Sequence, residues 1–435
     1  MKPKLSKHFE EREPSDIRLA QIEFAKRTVK PEAINVAIGN VSLPMHPAMQ
    51  ERKSAPDAED SPFKDGVMKY SPTVGFEETN KAFLNIIASS GFKTEKLYSQ
   101  ITVGGSQAME LLILGVCGPA GTREEPLLLI DPAYTNYKAM AERAGRATIS
   151  IQRHLQENGK FTLPEIKGIE KIIREHKPGA MLVIPYDNPT GQFYDNKTMV
   201  ELGKLCVKYN LWMVSDEAYR ELYYVKNNVS SIWGLTNKEV PGIEGRRISI
   251  ESASKVWNAC GLRIGAIVTD HFKFHKKAVA ENTANLCPPV SGQYIFGALA
   301  HVSHPNLQRW YSEQRKYYKP MLSELTNNLR KRLPGVIVSS PDASIYSVID
   351  VRNIAKLDFD AVDFVLYCSR EGAVDVNGKE LTLLVAPMAG FYSVKKGEPN
   401  PGKTQMRIAY VETPENMKLV PLLFTELFKK YELSR

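Results

Sequence analysis

Ile248-Ser249-Ile250-Glu251-Ser252-Ala253-Ser254-Lys255, followed by Arg263-Ile264-Gly265-Ala266-Ile267-Val268, is the stretch from which the rest of the chain can be read. Two short apolar segments flank a loop of small residues, and that loop carries hydroxyls, a lysine and an arginine. A lysine amine forms an imine with an aldehyde. Hydroxyls beside an arginine offer a phosphate both hydrogen bonds and charge. A ligand that is at once an aldehyde and a phosphate ester would use the whole stretch. Taken singly, a lysine is far more often a solvated surface residue, and Ser-x-x-Lys also serves quite different acyl-transfer enzymes. The reading therefore rests on further segments that agree with it.

Outward from this stretch the chain alternates short apolar runs with helical ones. Ile101-Thr102-Val103 leads into Gly104-Gly105-Ser106-Gln107 and a helix through Cys117. Pro126 to Ile130 ends at Asp131-Pro132, and Met181 to Ile184 ends at Asp187-Asn188-Pro189-Thr190-Gly191. Met199, Leu202, Cys206 and Tyr209 share one face at helical spacing. Leu211 to Val214 then runs into Asp216, and Ile264 to Val268 follows the arginine. Apolar strands alternating with helices predict an α/β fold whose mainly parallel sheet is covered on both faces. The last third reads differently: a long polar helix over about 305–332, strands at 335–338, 345–351, 383–385 and 406–409, and a closing amphipathic helix. That pattern predicts a smaller α+β domain.

A chain of 435 residues exceeds one ordinary core, so more than one domain is expected. No apolar run approaches the roughly 18 residues of a membrane span, and the N-terminal MKPKLSKHFEEREPSD lacks the apolar centre of a signal peptide. A cytoplasmic protein without membrane contact is the expectation. The five cysteines are odd in number and scattered, with no Cys-x-x-Cys, which argues against a disulfide framework or a metal site. The net charge of +8 is spread along the chain, not gathered in a block, so nucleic acid is not an expected partner.

The motif-bearing segments follow strand ends, where open α/β sheets place ligands. Gly105-Ser106-Gln107 opens a helix after a strand, and the free N–H groups there suit a phosphate. Asn188-Pro189-Thr190-Gly191 is a turn by composition, with an Asn able to donate to a phenolic oxygen. Asp216, in Ser215-Asp216-Glu217-Ala218-Tyr219, follows a buried strand and needs a partner there. A protonated pyridine nitrogen would be one. Tyr219 lies three residues on.

In order and spacing, Tyr70-x4-Gly75, Gly105-Ser106-Gln107, Asn188-Pro189-Thr190-Gly191, Asp216-x2-Tyr219, Ser252-x2-Lys255-x7-Arg263 and Arg407 resemble the class I/II, fold-type I pyridoxal-phosphate aminotransferases. The likeness runs from about Ile34 to the C-terminus. It implies a large cofactor-binding domain over 49–308, with a seven-stranded, mainly parallel sheet between helices. An N-terminal arm over 1–48 and a C-terminal segment over 309–435 then form the smaller domain. It implies pyridoxal 5′-phosphate as cofactor and a ping-pong exchange of an amino group between an L-amino acid and a 2-oxo acid. Lys255 then forms the cofactor imine and shuttles the proton between Cα and C4′. Asp216 pairs with the pyridine nitrogen, Asn188 and Tyr219 with the phenolic oxygen, and Tyr134 stacks on the ring. The backbone of Gly105, Ser106 and Gln107, with Ser252 and Arg263, takes the phosphate. Tyr70 resembles the tyrosine that reaches the neighbouring subunit's phosphate, which implies a homodimer with shared sites. Arg407 matches the arginine for the substrate α-carboxylate, with Gly39 and Asn188 also facing the substrate.

The chain departs from the family at three places. Asn40-Val41-Ser42-Leu43-Pro44 follows Gly39 in place of Pro-Asp-Phe, and Pro387-Met388-Ala389-Gly390-Phe391-Tyr392 replaces Pro-Gly-x-x-Phe-Gly. The Asp216-to-Lys255 spacing is longer than the family's, which marks Leu235–Glu244 as an insertion. A C–S lyase, a cyclopropane-forming synthase and a decarboxylase on the same scaffold are the alternatives, because they share nearly every cofactor residue. A regulator that keeps this fold behind a DNA-binding domain is disfavoured, since about 30 residues precede the core. A dehydrogenase lacks its Gly-x-Gly-x-x-Gly after a strand.

Overall fold

A computed structural model describes residues 3–434 apart from 60, 164, 227, 228 and 396. The chain forms two compact units, the larger holding residues 40–323 and 339–347, the smaller holding the residues through Gly39 with 324–338 and the segment from Val348 onward.

The larger unit is built on seven strands: β1 (Tyr98–Val103), β2 (Leu127–Asp131), β3 (Thr148–Gln152), β4 (Ala180–Val183), β5 (Trp212–Asp216), β6 (Arg247–Ser252) and β7 (Ile264–Thr269). They lie in the order β1-β7-β6-β5-β4-β2-β3. β3, β2, β4, β5 and β6 are mutually parallel, as the strand–helix alternation requires. Strands β2, β4, β6 and β7 are buried along their whole length, which is why β2, β4 and β7 read as mainly apolar runs; β6 is as buried but alternates polar and apolar residues. Leu112, Leu129, Leu182, Val214, Ile250 and Ile267 meet in one core.

β7 breaks the parallel pattern, pairing antiparallel with both β6 and β1. Residues 253–263 hold only a 3₁₀ turn at Cys260–Leu262, and no helix that could carry the chain back along the sheet. The strand therefore returns at once, and it starts at the edge where the parallel strands finish. Gly265 pairs with Ser252, and Ile264 with Val103. This places the segment after β1, the segment after β6 and the segment before β7 side by side.

The smaller unit pairs Glu32–Asn35 in parallel with Leu381–Leu384. A second, antiparallel set joins Ile337–Val338 to Ile349–Asp350 and Ala386–Pro387 to Met406–Arg407. The closing helix Pro414–Leu433 buries Val420, Leu423, Phe424 and Leu427, the apolar face expected from its spacing. The long helix spans His304–Arg332. Among the described residues no helix is long and apolar enough to cross a membrane. All five cysteines are free, with Cys206 and Cys368 buried.

Candidate active site

The edge shared by β1, β6 and β7 carries a compact polar cradle. Gly104 directly follows β1 with φ +68°, in the left-handed region where a side chain is disfavoured. A Cβ there would stand 2.6 Å from Arg263 Nη2, so the guanidinium already occupies that space. Gly265 allows β7 to lie flush on the same turn, since a Cβ at Gly265 would come within 2.6 Å of Gly105 N. A Cβ on Gly105 would stand 3.8 Å from Ser252 Cβ. Helix Gly104–Val116 begins here, and no side chain caps its first turn. Gln107 Oε1 instead accepts from Val103 N at 2.7 Å, while its Nε2 donates to Asn282 Oδ1 at 3.0 Å. With its side chain so committed, any ligand role for Gln107 falls to its backbone.

Arg263 adopts a left-handed φ of +54° and donates through Nη1 to Cys260 O at 3.2 Å. Its full positive charge lies against the partially positive start of a helix. These charges repel unless an anion stands with them. A phosphate dianion fits that arrangement, with Ser252 beside it as a hydroxyl donor.

Asp216 ends β5 half-buried. Its Oδ2 accepts from the Tyr137 hydroxyl at 2.6 Å and its Oδ1 from Ala218 N at 3.0 Å. Burial pushes the carboxyl above its ordinary range, against the pull of Tyr137, Ala218 and the positive charge of Lys255. A pyridinium N–H would supply the missing stabilisation of the ionised form, so this residue fits the nitrogen end of the cofactor. Burial likewise raises the Tyr137 phenol, aided by the Asp216 charge, so Tyr137 stays a proton donor.

Asn188 and Tyr219 are both buried, and Asn188 Nδ2 donates to the Tyr219 hydroxyl at 3.4 Å. Tyr219 belongs to the turn after β5 and not to a helix. Its oxygen lies 2.8 Å from the Tyr346 hydroxyl. Tyr134 is half-buried, accepts from Asn136 Nδ2 at 2.8 Å and meets the Tyr137 ring edge-on at 5.4 Å. Lys255 is half-buried in a loop whose C-terminal side is held by two hydrogen bonds. Asn258 N donates to Lys255 O at 3.2 Å, and Trp310 Nε1 donates to Val256 O at 2.8 Å. Tyr70 stands 78% exposed, next to exposed Val67 and Met68.

Gly39 and Arg407 belong to the smaller unit. Arg407 is buried, donates through Nη2 to Ala37 O at 2.7 Å and lies over the Phe391 ring at 5.1 Å.

Three groups escape a reading of the sequence. Tyr137 and Tyr346 lie outside every motif, and both are buried in the structure. The third is a buried ionic cluster in which each member neighbours a site residue along the chain. Arg220 Nη2 bonds Glu251 Oε1 at 2.6 Å and lies 3.5 Å from Glu217 Oε2, while Glu217 Oε1 accepts from Ser215, Ser231 and Ile232 N. Burial pushes the Glu251 carboxyl up to about 7 despite the pull of Arg220. Three charged residues interleaved with motif residues were the available signal.

Residues 31–409 match the family described as aminotransferase class I and II. The chain is 22% identical over 294 residues to a probable aspartate/prephenate aminotransferase of Aquifex aeolicus, covering 67% of this chain and 71% of that one. It is 25% identical over 333 residues to a probable aspartate aminotransferase of Methanocaldococcus jannaschii, covering 74% and 79%. A solved structure of a Thermus thermophilus aspartate aminotransferase variant superposes with a TM-score of 0.79 at 19% identity, over 98% of this chain and all of that one.

Proposed function

The chain belongs to the class I and II aminotransferases and is a transaminase, and on that premise we propose that Lys255 holds pyridoxal 5′-phosphate in the cradle described above. The observation that carries this reading is the Arg263 guanidinium packed against Gly104 at an uncapped helix start. When bound, the cofactor supplies an aldehyde for amines and a conjugated ring that accepts electron density.

The protein residues do the rest. Gly105, Ser106 and Gln107 offer backbone N–H groups to the phosphate, Ser252 a hydroxyl and Arg263 a charge-assisted hydrogen bond. Asp216 keeps a negative charge at the ring nitrogen, and its own orientation is fixed by Tyr137 and Ala218. Asn188, which donates to Tyr219, offers its amide group to the phenolic oxygen. Tyr134 supports the ring face. Lys255 Nζ removes the proton from the substrate Cα and returns a proton on the other side of the exchange. Arg407, braced by Ala37 O and the Phe391 ring, grips the α-carboxylate of an L-amino acid or 2-oxo acid with its fork, beside the backbone of Gly39.

Tyr70 completes the phosphate site of a second copy, in a homodimer. Its exposure together with Val67 and Met68 supports that role, because a run of exposed apolar residues calls for a covering surface. The free cysteines suit a reducing compartment, the cytoplasm.

The test adds amino acids singly to purified, cofactor-loaded protein while the cofactor absorption is followed. Loss of the visible band on adding a donor, and its return on adding a 2-oxo acid, is the expected result. Aspartate as the donor and prephenate as the 2-oxo acid come first, after the names of the relatives. A band that never responds, or carbon dioxide or ammonia with pyruvate in place of reversible exchange, overturns the reading.

A further inference from the structure

The buried cluster of Arg220, Glu217 and Glu251 takes no part in the proposed chemistry, yet it backs directly onto two residues that do. Successive side chains of a strand point to opposite faces of the sheet. Asp216 and Ser252 end β5 and β6, so Ser215 and Glu251 beside them point the other way. The contacts agree. Ile250 and Ser252 lie by Gly105, whose Cβ would stand 3.3 and 3.8 Å from them. On the other face Ser249 donates to Glu251 at 2.7 Å and Ser215 to Glu217 at 2.8 Å. The register of β5 on β6 ends with Asp216 opposite Ile250, and Glu217 N closes it by donating to Ile250 O at 2.9 Å. Glu251 and Ser252 run on past that point, while the chain after β5 leaves through the turn 217–222. Side chains bridge the two. Arg220 Nη2 bonds Glu251 Oε1 at 2.6 Å and lies 3.5 Å from Glu217 Oε2, and its Nη1 donates to Ser231 at 3.2 Å. The turn is held from its far end as well, since Gln308 and Arg315 of the long helix bond Glu221 at 2.8 and 3.1 Å.

We infer that Arg220 and Glu251 are positioning residues, whose bond on the far face of the sheet fixes the spacing between Asp216 and Ser252. This rests on the cofactor reading above, in which Asp216 takes the ring nitrogen and Ser252 the phosphate. A rigid ligand gripped at both ends needs those grips a set distance apart. A buried ion pair adds little net stability over apolar residues of similar volume. What it adds is direction, because charge-assisted hydrogen bonds hold their partners at set distances and angles. The turn that carries Tyr219 and the strand end that carries Ser252 are thereby held as one piece.

The test compares Glu251→Gln and Glu251→Met with wild type. Both variants remove the carboxylate and leave Arg220 with Glu217 as its counter-ion. Glutamine keeps an oxygen that accepts from Arg220 and Ser249, and methionine does not. Burial already raises the Glu251 carboxyl towards its neutral form, so the uncharged glutamine is a mild change. The readouts are the dissociation constant for pyridoxal phosphate, from fluorescence titration of the folded, cofactor-free protein, and the urea midpoint of that protein. The expected result is an affinity within about twofold of wild type for Glu251→Gln and roughly tenfold weaker for Glu251→Met. A merely structural role would move the urea midpoint and leave the affinity of the folded protein alone. Equal affinities in the two variants, both as wild type or both weakened, overturn the inference. If Glu251→Met does not fold, Arg220→Lys decides: it keeps the charge but loses the fork that reaches Ser231 and Glu251 together. Its affinity should then be a few-fold weaker, and wild-type affinity there overturns the inference. Failure of the wild-type protein to take up pyridoxal phosphate is a separate outcome, and it overturns the cofactor reading together with this one.

Discussion

Two turns of the larger unit carry similar residues and do opposite things. Residues 235–246, which include the stretch 235–244 read from the spacing as an insertion, turn many of their polar groups on one another. Asn237 Oδ1 accepts from Gly242 N and Glu244 N, and Glu244 Oε1 accepts from Asn237 N at 3.2 Å. Thr236 N donates to Glu239 Oε2 at 3.1 Å. The apolar side chains Leu235, Val240 and Ile243 point inward and are buried. They pack on Gly203 of the helix Asn196–Lys208, close enough that a Cβ there would lie 3.3 to 3.7 Å from all three. The turn at Gly104 has no such closure. A guanidinium and an uncapped helix start present charge of one sign there, an arrangement that suits an anion. Polar groups that answer each other make shape, whereas like groups held together make a site.

The sharpest way to break this contrast is at the lysine. Lys255→Ala should lower turnover by roughly three orders of magnitude or more and leave the unfolding midpoint of the cofactor-free protein unchanged. Steady-state rates and a urea titration check both halves, and ordinary turnover in that variant would remove Lys255 from the chemistry. Ile243→Ala tests the other turn. Deleting a fully buried isoleucine should cost about 2–5 kcal/mol of stability, read in the same urea titration. Cofactor affinity measured on the folded protein should not move. A change in affinity larger than in stability would show that the insertion serves the site.

How much of this was legible in the sequence depends on whether the signal was local. Ser252, Lys255, Arg263 and Gly105 could be read because each is an unusual residue at a strand end, and strand ends follow from apolar runs. The nearness of Arg263 to Gly104 was not local. It comes from β7 running against its neighbours and pairing Ile264 with Val103, which no window around either residue contains. Tyr137 and Tyr346 were hidden for another reason: a tyrosine outside any motif gives no sign of its hydroxyl partner, which only the fold supplies. The spacing pointed to an insertion at 235–244, but not to the inward-facing apolar side chains found there. Arg220, Glu217 and Glu251 could be seen as charges in apolar surroundings, yet their pairing joins two separate strand ends.

The smallest of the three effects isolates the charge at Gly104. Arg263→Met removes the guanidinium and keeps an unbranched side chain that can lie along the same path. A charge-assisted hydrogen bond is worth about 1.5–3 kcal/mol, so the dissociation constant for pyridoxal phosphate should rise by roughly ten- to a hundredfold. Fluorescence titration of the cofactor-free protein reads that directly. The cofactor-free protein itself should be no less stable than wild type, because the variant takes a cation away from the positive end of a helix. The two measurements must therefore move apart: affinity falls while the stability of the empty fold holds or rises. If both fall together, Arg263 is a structural brace for the turn after β1, and the Gly104 turn is a self-sufficient one like residues 235–246.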